Sequence, residues 1–269
     1  MFPGLSSCPV LGQPTPRIPP KIVTIGAGTR YDTNLRAVYN AAGHPAPALG
    51  DTIAIYIEPG AKLAASSTGA WALQLGSWPE IGVGGAVAPT LNVMVKAGVR
   101  IQGAGGQGGG PEQSGPGGAG GGAFYVGRSV NLVTTGSQIF GGGGGGGGAN
   151  NPGYVWCGGG GGCGNVGGPA GTGAGLGGGT AQTAGSADAA GTGWVNFGGG
   201  SRCGNGGTYG AAGQAANGDW SGGFVAFGGG AAGYSVYGWG NCTFGTWDYT
   251  LLKFTATGVH GADIRGSIA

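Results

Sequence analysis

The sequence predicts a two-part protein. A small α+β (mostly β) N-terminal module occupies residues 1–100, and a glycine-rich domain outside the usual α/β classes occupies residues 101–269. Three observations carry this reading. Thirteen of the 74 glycines fall in residues 1–100 and sixty-one after them, where an average chain holds ~7% glycine. Charge thins out at the same place: between Ile101 and Gly240 the charged residues are Glu112, Arg128, Asp188, Arg202 and Asp219. Aromatic residues nonetheless recur through the glycine tracts, from Phe124 to Trp239, and the formal net charge is only +2. Disordered segments carry high net charge and few aromatics, so the tracts read as folded structure and not as a linker.

The N-terminal elements follow from local patterning. Residues 1–20 form a proline-rich, extended leader. It has no basic residue before Arg17, and Pro3, Pro9 and Pro14 interrupt any apolar run, so it does not read as an export signal. With no segment near the ~20 apolar residues of a membrane helix, assembly in a cytoplasm without membrane insertion is expected. "KIVTIG" (21–26) alternates like a strand. "DTNLRAVYNAAG" reads as a short helix capped by Asp32 or Thr33, with Leu35, Val38, Tyr39 and Ala42 on one face and Gly43 as its stop. "DTIAIYIEPG" (51–60) is a strand ending in a Pro-Gly turn, and "AWALQLG" (70–76) and "TLNVMVKAGVRIQG" (90–103) are further strands.

After Ile101 the pattern changes. "GAGGQGGGPEQSGPGGAGGGA" divides into triplets in which non-glycines occupy one position outside the "GGPEQS" stretch. A threefold extended helix of the polyproline II type has three residues per turn, rises ~3.1 Å per residue and makes no internal hydrogen bonds. Its backbone groups need partners when buried, and glycine lets neighbouring rods approach closely enough to supply them. The expected fold of residues 101–269 is therefore a domain of stacked polyglycine II helices, a polyglycine II sandwich. The eight glycines from Gly141 to Gly148 form one rod roughly 25 Å long at that rise.

Several chemistries are excluded or unsupported. The five cysteines (Cys8, Cys157, Cys163, Cys203, Cys242) are an odd number and suggest no disulfide framework. They read as small buried thiols; a Cys157–Cys163 bridge is sterically conceivable, and whether any cysteines pair stays open. Their spacing does not match a zinc site, so no metal or other cofactor is expected. "GAGGQG" (103–108) fits a dinucleotide fingerprint but lacks the helix that must follow it. Arg128 and Arg202 alone do not make the cationic groove that nucleic acid requires. His44 and His260 neighbour no nucleophile and read as solvent-facing loop residues, the carboxylates are scattered, and no catalytic residue is assigned.

The order "LNVMVKAGVRIQGAGGQGG", a second glycine-rich run, and "AFYVGRSVNLVTTGSQIFGGGGGGGG" resembles the receptor-recognising adhesin at the distal tip of T-even-type bacteriophage long tail fibres. The likeness is carried by the non-glycine framework Val99, Ile101, Val130, Leu132 and Ile139 and covers about Leu91 to Gly148, continuing in style to Gly240. The proline-rich leader departs from that family's attachment domain. The resemblance implies a virion protein whose N-terminal module docks on the distal end of a trimeric fibre protein. It also implies that loops between glycine rods bind a bacterial outer-membrane protein or surface glycan. By position, the candidate receptor-binding residues are Tyr154, Trp156, Trp194, Phe197, Tyr209, Trp220, Tyr234, Tyr237 and Trp239. Tyr and Trp suit contact loops because they bring large area at low entropic cost; each could equally pack against the rods. The competing readings are a glycine-rich ice-binding protein or a structural matrix protein. The long irregular inserts argue against the first, and the compact N-terminal module against the second.

Overall fold

The computed structural model describes residues 19–80, 88–110, 115–151, 155–171, 179–196, 201–218 and 225–269. Its chain passes repeatedly through three parallel sheets. The first circuit is Lys21–Ile25 (β1), Gly28–Tyr31 (β2) and Thr33–Asn34 (β3), followed by the helix Leu35–Ala41 (α1). The second is Thr52–Ile57 (β4), Ala61–Ala64 (β5) and Trp71–Gln74 (β6), and the third is Thr90–Val95 (β7), Arg100–Gln102 (β8) and Gly122–Tyr125 (β9). The fourth opens with the long strand Val130–Phe140 (β10). An insertion then holds short strands at Ala149–Asn151 (β11), Val155–Cys157 (β12), Gly179–Thr180 (β13) and Val195–Asn196 (β14), then at Ser201–Arg202 (β15), Asn217–Gly218 (β16) and Val225–Ala226 (β17). The circuit closes at Tyr234–Tyr237 (β18). The fifth comprises Cys242–Asp248 (β19) with its hairpin partner Lys253–Ala256 (β20), then Gly261–Arg265 (β21) and Ser267–Ile268 (β22).

The pairings stack these circuits. β1, β4, β7, the first half of β10 and β19 lie side by side in one sheet. β2, β5, β8, the second half of β10 and β21 form a second. β3, β6, β9, β18 and β22 form a third. All of these pairs are parallel, as they must be when one chain repeats the same path. Alternation sends Ile53, Ile55 and Ile57 inward from the first sheet, where they meet Leu63, Ile101 and Ile139 from the second and Leu73, Phe124 and Val236 from the third in one buried core. β4 is buried on its outer face too, because the β19–β20 hairpin folds over it: Trp247 packs with Tyr56, Met94 and Val133 and donates its indole N–H to the Tyr56 hydroxyl at 3.0 Å.

The corner between the first and second sheets explains a glycine pattern that composition alone hides. Gly60, Gly98 and Gly136 occupy it in successive circuits with φ of 82°, 78° and 62°, a region that favours glycine. The amide of Gly60 donates to the carbonyl of Gly98 at 3.3 Å, and that of Gly98 to Gly136 at 3.2 Å. Lys96 ties the same corner by bonding Glu58 of the preceding circuit at 2.7 and 2.8 Å.

This architecture corrects the expected fold class. The chain is a mostly β, parallel-sheet fold, and not an α+β module followed by a polyglycine II sandwich. Strand β10, assigned by sequence to the glycine-rich region, pairs with β7 and β8 on one side and with β19 and β21 on the other. The strands between the glycine runs, and not the runs themselves, decide the fold. Smaller differences have local causes. The helix N-cap is Asn34, whose side chain accepts the Ala37 amide at 3.1 Å. Asp32 instead reaches the second circuit and accepts the Ser66 amide at 2.8 Å. The expected single strand over 90–103 is broken into β7 and β8 by the Gly98 corner.

The glycine runs are insertions at one corner of this fold, between the second and third sheets. Residues 103–121 join β8 to β9, and residues 141–233 join β10 to β18. Their described glycines are linked to neighbouring runs by backbone hydrogen bonds. The amides of Gly142, Gly143 and Gly144 donate to Gly121, Cys163 and Ala211 at 2.9, 2.7 and 3.0 Å. Those of Gly145, Gly146 and Gly147 return to the same three neighbours, at Gly118, Gly160 and Gln214. Residues Gly141 to Gly148 are all buried, and the amides of Gly141 to Gly147 each donate to a backbone carbonyl, as the interior requires.

Candidate functional site

The insertions make two kinds of surface: turns beside the sheets, and tips at the far end. Next to the sheets, Gly103 and Gly141 donate to Phe140 and Arg265, and Gly233 to Gly142. At the far end, the run from Gly141 passes into the β11–β12 hairpin, which β17 joins in a three-stranded antiparallel sheet. β13 to β16 form a second small antiparallel sheet there. A disulfide between Cys157 and Cys203 links the end of β12 to the residue after β15, closing a sequence separation of 46. Trp194 is 4% exposed and packs with that disulfide, Ala149 and Ala216, so the tip segments spring from a common clamp. The bridge joins a cysteine pair that sequence spacing did not suggest, while Cys163 and Cys242 keep free thiols.

The nine aromatic candidates separate accordingly. Tyr154, Phe197 and Trp220 lie outside the described residues, each in a segment flanked by tip strands. Trp156 belongs to β12, where its backbone pairs with Asn150. Trp194 sits in the clamp just described. Tyr209 lies at the opposite end: its hydroxyl donates to Asp188 Oδ1 at 2.8 Å, and its ring is 4.7 Å from that of Phe140. Arg100 and Arg265 stand over both rings, at 5.0 to 5.9 Å. Trp239 packs against Phe244 at 4.6 Å and borders the main core. Tyr234 and Tyr237 are 41% and 43% exposed, on the third sheet.

The Tyr209 cluster fastens an insertion turn to the second sheet. Arg100 bonds Asp188 Oδ1 at 2.7 Å and the Ala187 carbonyl at 2.6 Å, and Gln102 also donates to that carbonyl, at 3.0 Å. Hydrogen bonds from Arg100 and then Tyr209 hold the Asp188 carboxyl below the usual carboxylate range. Beneath them, burial pushes the Cys163 thiol up to about 11, which leaves it protonated and unreactive near neutral pH. Neither histidine assembles a reactive constellation. His44 is half-buried against Tyr39, with Nε2 2.8 Å from the Ile22 carbonyl, and so differs from the expected solvent-facing residue. His260 is exposed and meets the rings of Trp239 and Phe244.

Tyr234 and Tyr237 gather two aromatics that sequence reasoning passed over. Trp71 lies 6.5 Å from Tyr234, 5.9 Å from Tyr237 and 5.4 Å from Tyr125. Tyr125 stacks on Tyr237 at 5.6 Å with an interplanar angle of 14°. The parallel register causes this, because Tyr125 and Tyr237 are direct cross-strand partners and such pairs are the stabilising contacts of a sheet. No local signal marks Trp71 or Tyr125 as members of a shared surface; only the pairing of distant segments brings the four rings together.

A family model described as phage tail fibre adhesin Gp38 matches residues 21–268. In shape, the chain is similar to one in the crystal structure of the gp37-gp38 adhesin tip complex of the bacteriophage S16 long tail fiber. The identity is 21% and the TM-score 0.49, with 81% of this chain and 75% of that chain covered. No curated protein matches the chain.

Proposed function

The chain belongs to the phage tail fibre adhesin Gp38 family, and we propose that it engages its bacterial receptor through the insertion tips and its fibre through the opposite, open edge of the sheets. It is a receptor-binding tail fibre adhesin and hence a component of the phage tail. The family is one of adhesins and not of enzymes, which removes the ground for an ice-binding or matrix role.

One observation carries the assignment of the tips. Both glycine-rich insertions, residues 103–121 and 141–233, leave the fold at the same corner, and the far ends of residues 141–233 are gathered by two small sheets and a disulfide. Loops on a rigid scaffold are the usual carriers of recognition. We assign the receptor, an outer-membrane protein or surface glycan, to Tyr154, Trp156, Phe197 and Trp220, which lie in sequence within or between the tip strands β11–β12, β14–β15 and β16–β17. We assign Trp194, Tyr209 and Trp239 to holding the frame, from the packing given above.

Fibre attachment falls to residues 1–100. Among the described residues, β1, β2 and β3 each have a partner on one side alone. They present three open strand edges on three sides of one circuit. Open edges add further strands readily, and the distal end of a trimeric fibre protein could supply one strand to each. The test is phage adsorption with two variants. Exchanging residues 152–156 for Gly-Ser should abolish adsorption while the adhesin stays on the particle. Thr29→Pro in β2 should release the adhesin from the particle. Unchanged adsorption by the tip variant sinks the receptor assignment, and retention of the proline variant sinks the attachment edge.

A further inference from the structure

The four rings on the third sheet form a second ligand surface, lateral to the tips and independent of the tip assignment. We propose that Trp71, Tyr125, Tyr234 and Tyr237 form a platform that binds a neutral saccharide. The first ground is exposure. Tyr125, Tyr234 and Tyr237 leave 37%, 41% and 43% of their surface open, although all four rings are already within 6.5 Å of a neighbour in the group. Clustered exposed aromatics mark interaction sites more often than scattered ones do. The second is a recess in the backbone. Trp71 lies across Gly122 so closely that a Cβ there would meet its ring, and any side chain at that position would lift the indole off the sheet.

The third ground is chemical character. None of the three tyrosine hydroxyls has a protein hydrogen-bond partner among the described residues, so each can donate and accept outward. Beside the rings runs a groove of about 460 Å³ bordered by Thr68, Trp71, Gly122, Ala231, Tyr234 and Ser267 among others, and no charged residue lines it. That volume is in the range of small-ligand sites, ~300–1,000 Å³. An uncharged lining complements a neutral partner, and selects against phosphorylated or acidic sugars that would lose hydration without gaining a counter-charge. Flat apolar rings beside free hydroxyls match a sugar ring, which offers C–H faces and equatorial hydroxyls together. A protein loop would need fewer free hydroxyls and a lipid chain would need none.

The experiment uses the full chain with its disulfide intact. It is exposed to an array of neutral hexose and N-acetylhexosamine oligosaccharides alongside sialylated, sulfated and phosphorylated ones, and the strongest binder is titrated by tryptophan fluorescence. The platform predicts that neutral oligosaccharides are selected. Trp71→Ala and Tyr237→Ala should each weaken binding roughly tenfold or more, as aromatic hot spots do. Tyr125→Phe, which keeps the ring and is the variant least able to disturb folding, should weaken it a few-fold. A Gly-Ser exchange of residues 152–156 should leave oligosaccharide binding unchanged even where it abolishes attachment to cells, which separates this site from the tips. Selection of charged glycans only, no binding by any oligosaccharide, or equal binding by the Trp71 and Tyr237 variants overturns the proposal.

Discussion

Replacing Gly144 with alanine adds one methyl group and should cost the protein a large share of its stability. A Cβ on Gly144 would overlap the Gly230 carbonyl oxygen, stand 2.5 Å from its carbon and lie 2.7 Å from the Ala231 oxygen. Ordinary contact begins near 3.4 Å, so the neighbouring run must retreat by about 1 Å, a shift that overpacked cores resist at ~1–3 kcal/mol. Gly230 cannot move freely. Its amide donates to Gly145 at 2.8 Å, and its carbonyl accepts from Gly213 at 2.9 Å. Losing both leaves buried groups unpaired at ~1–3 kcal/mol each. After partial relaxation, roughly 3–6 kcal/mol of a total near 5–15 kcal/mol is lost. In a chain of this size that lowers the melting temperature by roughly 10–20 °C. The control is Gly228→Ala, since nothing lies within 4 Å of a Cβ there and its φ is not in the left-handed region; it should change stability by less than ~1 kcal/mol. Differential scanning calorimetry of the two variants decides the matter. If Gly144→Ala melts with the wild type, close backbone approach is not what holds the insertions.

Four further outcomes are expected. Reducing the Cys157–Cys203 bridge, which spans 46 residues, should remove up to ~4 kcal/mol by loop entropy; a reductant should lower the melting temperature of the wild type but not of Cys157→Ser/Cys203→Ser. Trp194→Ala empties the clamp and should cost ~3–5 kcal/mol, whereas Tyr154→Ala should melt like the wild type and alter cell binding alone. The Lys21 ammonium, 2.6 Å from Asp51, holds that carboxyl below its usual value. A carboxylate depressed in the folded state stabilises fully above its unfolded pKa and loses that contribution as pH falls through the folded one. Asp51→Asn should therefore flatten the decline in melting temperature below about pH 4. Burial pushes the Cys163 and Cys242 thiols up to about 11 and about 12. Neither should be alkylated by iodoacetamide at pH 8 in the folded protein, as mass spectrometry would show.

The individual strands of the first hundred residues were legible because alternation is a local signal. "KIVTI" and "TIAIYI" are strands in the structure with Ile25, Ile53, Ile55 and Ile57 buried. Their assembly was not read, although the sequence holds a trace of it. Gly60, Gly98 and Gly136 recur at intervals of 38 residues, each between a β-branched run and a strand. An internal period of that kind signals stacked repeats. Sixty other glycines after residue 100 mask that period, and a 93-residue insertion separates β10 from the strand that completes its circuit. Residue type does not distinguish Trp194, sealed in the clamp, from Tyr237, open on the third sheet. The Cys157–Cys203 bridge depends on which insertion segments lie adjacent, a fact of the backbone network that spacing along the chain cannot supply.

Confining the insertions to one corner has a consequence for how such an adhesin can change its target. Each tip segment begins and ends on runs tied to one another chiefly by backbone hydrogen bonds, with the Cys157–Cys203 bridge and Trp194 as a shared clamp. Those contacts do not depend on what amino acids lie between them. A tip can then be lengthened, shortened or exchanged for that of a relative without a compensating substitution in the runs or in the five-circuit stack beneath. On the proposed assignment of receptor and fibre to opposite ends, host range and particle assembly are separable properties, and grafting tips onto this frame is a route to retargeting a phage.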